Sequence, residues 1–117
     1  MRRTYYTATQ LAKLLRVEYS TIKKAIEKGQ IKAYRYAGGW YRIPEEEVQR
    51  LLHQYGIDPN KEYLRPSQLA AMLNVASDTV VYWIHTGKLH AVKTLSGYYL
   101  IPKSEVEKLL NQNKAGS

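Results

Sequence analysis

The chain has 117 residues, no cysteine and a formal net charge of +8, and 44% of it is hydrophobic. That composition suits a small globular protein, excludes disulfide staples and thiolate metal sites, and contains no apolar run near the roughly eighteen residues of a membrane span. A surface this basic attracts polyanions, so nucleic acid is the first partner to consider, and an enzyme of small neutral substrates would be an unusual use of it. Met1-Arg2-Arg3-Thr4 leads into a polar helix start, unlike a signal peptide, and a soluble, cytoplasmic protein with no membrane partner is the expectation.

Sliding the sequence along itself by 58 residues, without a gap, lays residues 5–52 over 63–110 and gives 18 identities in 48 positions. The matches are mostly apolar, glycine or proline, among them Leu11/Leu69, Gly29/Gly87, Ile43/Ile101 and Pro44/Pro102, so the duplication kept a fold. Each copy, at about fifty residues, is near the lower limit for a core that closes unaided, and two copies are too few for a solenoid. The predicted organisation is a first domain over 1–54, a linker over 55–62, a second domain over 63–112 and a tail over 113–117.

In the first copy, Thr7-Ala8-Thr9-Gln10 has the spacing of a capping box, which starts a helix with Leu11, Leu14 and Leu15 as its apolar stripe. The second copy repeats the stripe with Leu69, Met72 and Leu73 behind Pro66 at a first-turn position. A tight break at Arg16-Val17, matched by Asn74-Val75, leads to a second helix over about Tyr19 to Lys28 and Ser77 to Thr86, ended by Gly29 and Gly87. Ile22, Ala25 and Ile26 should face inward, as should Val80, Trp83 and Ile84. Two short helices across a tight turn predict a helix-turn-helix.

Ile31 to Tyr36 and Trp40 to Ile43, separated by Ala37-Gly38-Gly39, read as a β-hairpin. Leu89 to Thr94 and Tyr98 to Ile101, across Leu95-Ser96-Gly97, are its copy. Pro44 and Pro102 are predicted to open a last helix, with Val48, Leu51 and Leu52, or Val106, Leu109 and Leu110, on one face. Glu45, Glu46 and Glu47 suit the positive end of that helix. Between the copies, His53 to Glu62 is polar and semi-stiff, with Gly56, Asp58, Pro59 and Asn60.

The order helix, turn, helix, hairpin, helix, carried by residues 7–52 and 65–110, resembles the winged helix-turn-helix domains of the excisionase and MerR-like superfamily. The most specific elements are the step Ala12-Lys13-Leu14-Leu15-Arg16-Val17, the run from Thr79 to Leu89, and the exits Tyr41-Arg42-Ile43-Pro44 and Tyr99-Leu100-Ile101-Pro102. The resemblance implies an α+β, mainly α fold of two tandem winged helix-turn-helix lobes. It also implies that the second helix of each enters the major groove while the wing touches the backbone or the adjacent minor groove. The family commonly has glycine before the turn valine, then serine and arginine after it; this chain has Arg16, Glu18 and Tyr19, or Asn74, Ala76 and Ser77. The basic residue before Ile-Pro survives as Arg42 in the first wing and is Leu100 in the second.

The candidate DNA contacts of the first copy are Tyr19, Ser20, Lys23 and Lys24 on the solvent side of the second helix, which can meet bases and phosphates. In the wing, Arg35, Tyr36 and Arg42, with Tyr34 and Trp40, interleave charge and rings; alternation should turn Tyr41 and Ile43 inward and Arg35 and Arg42 outward. Arg2 and Arg3 could form an arm into a minor groove. The candidates of the second copy are Ser77, Asp78, Thr79, Tyr82 and Lys93, with Val81 and His85 nearby. There the equivalents of Lys23, Lys24 and Lys28 are Val81, Tyr82 and Thr86, and net charge falls from +6 over residues 1–57 to +2 over 58–117. The first lobe is therefore the expected electrostatic anchor. The plain alternatives are a solvated helix face for the lysines and a protein-interaction patch for Val81 and Tyr82.

His53, His85 and His90 lack metal-site spacing, Glu45-Glu46-Glu47 has the simpler electrostatic cause given above, and no nucleophile-base pair or phosphate-cradling glycine loop is present. No catalytic residue, metal or cofactor is expected. The expected function is sequence-specific binding of double-stranded DNA at a bipartite site, by a monomer acting as a pseudo-dimer or by a DNA-dependent oligomer. Half-sites read from successive major grooves would lie about 10 bp apart. The resemblance implies a transcriptional regulator or an excisionase-like recombination accessory factor, with transcription machinery or a recombinase as protein partner. The alternatives are an adaptor whose second lobe docks a protein or self-associates, and a structured-RNA binder.

Overall fold

The computed structural model describes residues 4–36 and 38–112; the Arg2-Arg3 arm, Ala37 of the first wing turn and the tail over 113–117 lie outside the described residues. The chain forms two compact units with the main break between Pro59 and Asn60. The first contains β1 (Tyr5–Tyr6), α1 (Ala8–Leu15), α2 (Tyr19–Glu27), β2 (Tyr34–Arg35), β3 (Tyr41–Pro44) and α3 (Glu45–Tyr55). The second repeats the order with β4 (Tyr63–Leu64), α4 (Pro66–Leu73), α5 (Ser77–His85), β5 (Val92–Lys93), β6 (Tyr99–Pro102) and α6 (Lys103–Gln112). The fold is α+β, mainly α, in two tandem winged helix-turn-helix lobes.

The capping box that starts α1 is formed: Gln10 N–H donates to Thr7 Oγ1 at 3.0 Å and Thr7 N–H to Gln10 Oε1 at 2.9 Å. In α4, Pro66 takes the first turn and Arg65 N–H donates to Gln68 Oε1 at 2.8 Å. Both helices end on a left-handed residue, Arg16 at φ 60° and Asn74 at φ 55°. The chain then reverses, with Val17 N–H donating to Ala12 O and Val75 N–H to Ala70 O, each at 3.0 Å. Gly29 and Gly87, at φ 78° and 82°, close α2 and α5 in the same left-handed region.

Each sheet has three antiparallel strands, in the orders β1-β3-β2 and β4-β6-β5. The hairpin reading misses the outer strand, in which Tyr5 and Tyr6 face Pro44 and Ile43 across the ladder, and Tyr63 and Leu64 face Pro102 and Ile101. A two-residue strand has no period of its own and exists only because a partner satisfies its backbone. Pro44 and Pro102 are correspondingly the last strand residues rather than the first residues of α3 and α6.

The wing strands are also shorter than predicted, because the backbone donors that precede them are spent elsewhere. Gln30 and Ile31 N–H both donate to Ala25 O, and Lys32 N–H donates to Glu47 Oε2 at 2.7 Å. In the second lobe Leu89 N–H donates to Trp83 O and His90 N–H to Glu105 Oε1 at 3.1 Å. Glu47 is therefore not simply one of three solvated acids at a helix end. It is buried and also accepts Arg50 Nε and Nη2 at 2.7 Å, which holds its carboxyl below the usual range and raises the guanidinium. The Glu105 carboxyl is lowered too, first by the His90 N–H.

Leu69, Ala70, Val80, Leu89, Ile101 and Val106 form the core of the second lobe, and Leu11, Ala12, Ile22, Ile31, Ile43 and Val48 are buried at the equivalent places of the first. Two predicted core positions differ. Met72 is 62% exposed although Leu14 is half-buried, and Leu110 is 46% exposed although Leu52 is buried. α4 buries only Leu69 and Ala70, whereas α1 also buries Ala8 and Leu15, so the apolar stripe of α4 meets a narrower core. Leu52 lies where the chain turns back after Gly56, so that buried Ile57 donates to Leu52 O at 3.0 Å.

Candidate nucleic-acid interface

On α2, Ile22 and Ala25 are buried, which turns Tyr19, Ser20, Lys23 and Lys24 to solvent on one face of spacing four. Neither lysine joins an ion pair among the described residues, so both ammonium groups are available to an anion.

The first wing arranges its charges on its rings. The Arg35 guanidinium lies 5.4 Å from the Tyr41 ring centre and Arg42 lies 5.9 Å from that of Tyr36, both within cation–π range. Arg35 is exposed, as expected for the outer face, and Tyr36 is exposed as well. Arg42 is not fully outward: it is half-buried and donates through Nη1 to Tyr41 O at 2.9 Å. Tyr41 is likewise only half-buried, whereas Ile43 is completely buried. Tyr5 meets Tyr34 edge to face at 6.5 Å, which ties β1 to β2 across the sheet.

Tyr19 and Arg42 come together in a groove of about 550 Å³ that also takes in Thr7, Thr9, Trp40 and Tyr41. Lys23, Lys24, Arg35 and Tyr36 lie outside its lining. Thr7 reads in the sequence only as a capping residue and Thr9 only as an intervening position of the capping box, and nothing in a linear pattern places them beside Trp40. The available signal was the unlike pair at matched positions, Thr7 against Arg65 and Trp40 against Tyr98.

The second lobe presents a different surface. Ser77, Asp78 and Tyr82 are exposed on α5 and Thr79 is half-buried. His85 Nε2 lies 3.1 Å from Tyr99 Oη, with the two rings edge to face at 5.9 Å, and Lys93 Nζ lies 5.8 Å from the same Tyr99 ring. Arg65 stacks on Tyr98 with its guanidinium carbon 4.1 Å from the ring centre. Leu100, at the position of Arg42, is buried. His85, Lys93 and Tyr99 are thus engaged with one another, as are Arg65 and Tyr98, whereas Ser77, Asp78 and Tyr82 stand exposed on α5.

Among the described residues, no group of three or more His, Asp or Glu could hold a metal ion, and no helix is long and apolar enough to cross a membrane. A short helix-turn-helix with its second helix exposed beside a β-wing, built twice, defines a tandem winged helix-turn-helix DNA-binding protein. A family model described as a helix-turn-helix domain matches residues 5–55 and again 63–114, and the chain belongs to that excisionase-like helix-turn-helix family. Double-stranded DNA is the partner such domains bind. No curated protein matches the chain.

Proposed function

We propose that the chain is a sequence-specific reader of duplex DNA in which α2 enters a major groove, the first wing crosses the adjacent backbone, and the second lobe takes the other half of a bipartite site more weakly. The carrying observation is the pair Lys23 and Lys24, exposed on α2 where α5 has Val81 and Tyr82. In this reading Tyr19 and Ser20 face base edges, Arg35, Tyr36 and Arg42 grip phosphates and sugars, and Ser77, Asp78, Thr79, Tyr82 and Lys93 make the lesser contact. Acting in the cytoplasm, such a protein would work by occupying or bending its site, as a transcriptional regulator or a recombination accessory factor. Selection from random duplexes, followed by footprinting of the purified chain, tests it. A two-part footprint whose affinity falls with salt supports it; failure to enrich any duplex, or binding indifferent to salt, overturns it.

A second reading, a protein-docking role for the second lobe, is favoured by the exposure of Met72 and Tyr82, each 62%. Light scattering of the DNA-free chain and DNA affinity without residues 58–117 separate the two: self-association supports docking, and a monomer that keeps full affinity without the second lobe counts against it.

A further inference from the structure

We propose that the groove between the start of α1 and the first wing seats one sugar-phosphate unit of the DNA backbone, with deoxyribose on the face of Trp40 and its phosphate toward Arg42. This rests on the reading that the first lobe binds duplex DNA. It adds a positioning residue, Trp40, and a defined place for a single backbone nucleotide.

The second lobe points to the kind of group that belongs there. Arg65 occupies the position of Thr7 and Tyr98 the position of Trp40, and the Arg65 guanidinium lies 4.1 Å from the centre of the Tyr98 ring. That lobe covers its own wing aromatic with a flat group from its own chain. In the first lobe the short Thr7 side chain turns back into the α1 cap, where its Oγ1 accepts Gln10 N–H, and cannot cover the ring. Trp40 is left 69% exposed, beside a groove of about 550 Å³, well within the roughly 300–1,000 Å³ of small-ligand sites.

The indole also lies against the wing turn. It lies so close over Gly38 that a Cβ there would meet Trp40 Cδ1 at 2.9 Å and Nε1 at 3.3 Å. The matched position in the second wing is Ser96, so this close approach belongs to the first wing alone. Charge decides between occupants. A free cation could stack on the ring as Arg65 does on Tyr98, but Arg42 lines the groove and residues 1–57 carry a net charge of +6. The favoured occupant has an apolar face and a negative charge, which in duplex DNA is the deoxyribose with its phosphate.

Thr7→Arg tests the proposal because two causes push in opposite directions. An added positive charge alone should tighten duplex binding. If the new guanidinium covers Trp40 as Arg65 covers Tyr98, binding to a selected duplex should instead weaken by about fivefold to tenfold, the scale of losing one aromatic contact at an interface. Trp40→Ala should weaken it comparably, Trp40→Tyr should retain most of the affinity, and hydroxyl-radical footprinting should show a protected deoxyribose that both Thr7→Arg and Trp40→Ala uncover. Arg65 shows that the fold accepts arginine at this cap, and Trp40 is too exposed for its truncation to disturb the core, so at least one variant stays interpretable. Equal or tighter binding by Thr7→Arg, or unchanged affinity and sugar protection in Trp40→Ala, overturns the groove while leaving duplex binding intact. A wild-type chain that binds no duplex overturns both.

Discussion

The Glu47 carboxylate accepts the Lys32 backbone N–H at 2.7 Å, and so joins the chain entering the first wing to the first turn of α3. Glu105 does the same for His90 at 3.1 Å. Because Glu47 also takes two bonds from Arg50, Glu47→Gln should cost about 2 kcal/mol, the scale of a charge-assisted hydrogen bond. Glu105→Gln, with the longer bonds to His90 and Lys108, should cost less. Urea unfolding followed by circular dichroism measures both, and faster exchange of the Lys32 amide in Glu47→Gln would locate the loss.

Acid should expose the same pair of carboxylates. Glu47 and Glu105 are both lowered in the folded chain, the first chiefly by Arg50 and the second chiefly by the His90 N–H. A carboxyl lowered on folding contributes stability that is complete above its unfolded value, about 4.3, and is lost as pH falls through the folded value. The melting temperature should therefore be flat from neutral pH down to about 5 and drop below that. The drop should be smaller in Glu47→Gln.

The left-handed cap between α4 and α5 should discriminate residues by backbone rather than by side-chain packing. Asn74 sits at φ 55° and ψ 47°, a region that glycine enters freely and β-branched residues do not. Asn74→Gly should leave stability within about 0.5 kcal/mol, whereas Asn74→Val should lose about 1–2 kcal/mol. Thermal melts of the two variants side by side are sufficient.

Matched leucines should respond unequally. Leu52 is buried and Leu110 is 46% exposed. Leu52→Ala should cost about 2–3 kcal/mol, as truncation in a packed core does, and Leu110→Ala less than about 1 kcal/mol. Equal losses in chemical denaturation would contradict the burial difference.

Replacing both Lys23 and Lys24 by alanine should weaken binding to a selected duplex by about tenfold or more and flatten the plot of log affinity against log salt by about 2, roughly 0.9 per lost phosphate contact. Val81→Ala with Tyr82→Ala should leave that slope unchanged. Anisotropy titrations at several salt concentrations read both quantities.

The repeat of 58 residues, the capping box at Thr7, the turns at Arg16 and Asn74 and the glycine stops at Gly29 and Gly87 were all legible in the sequence. These signals are local: helix period, cap chemistry and left-handed backbone are set by a few consecutive residues. The helix-turn-helix class followed from their order, and so did exposure of Lys23 and Lys24 opposite Ile22 and Ala25.

Only tertiary structure decided what depends on distant partners. Tyr5 and Tyr6 become a strand because Pro44 and Ile43 lie alongside, Glu47 is buried because Lys32 and Arg50 reach it, and Met72 is exposed where its counterpart Leu14 is half-buried. Thr7 and Trp40 share a groove although 33 positions separate them in the chain, and Arg65 covers Tyr98 at the same places in the second lobe. Periodicity reports which side of an element is apolar; which side chains converge on one site is fixed by packing between elements, and sequence spacing does not encode it.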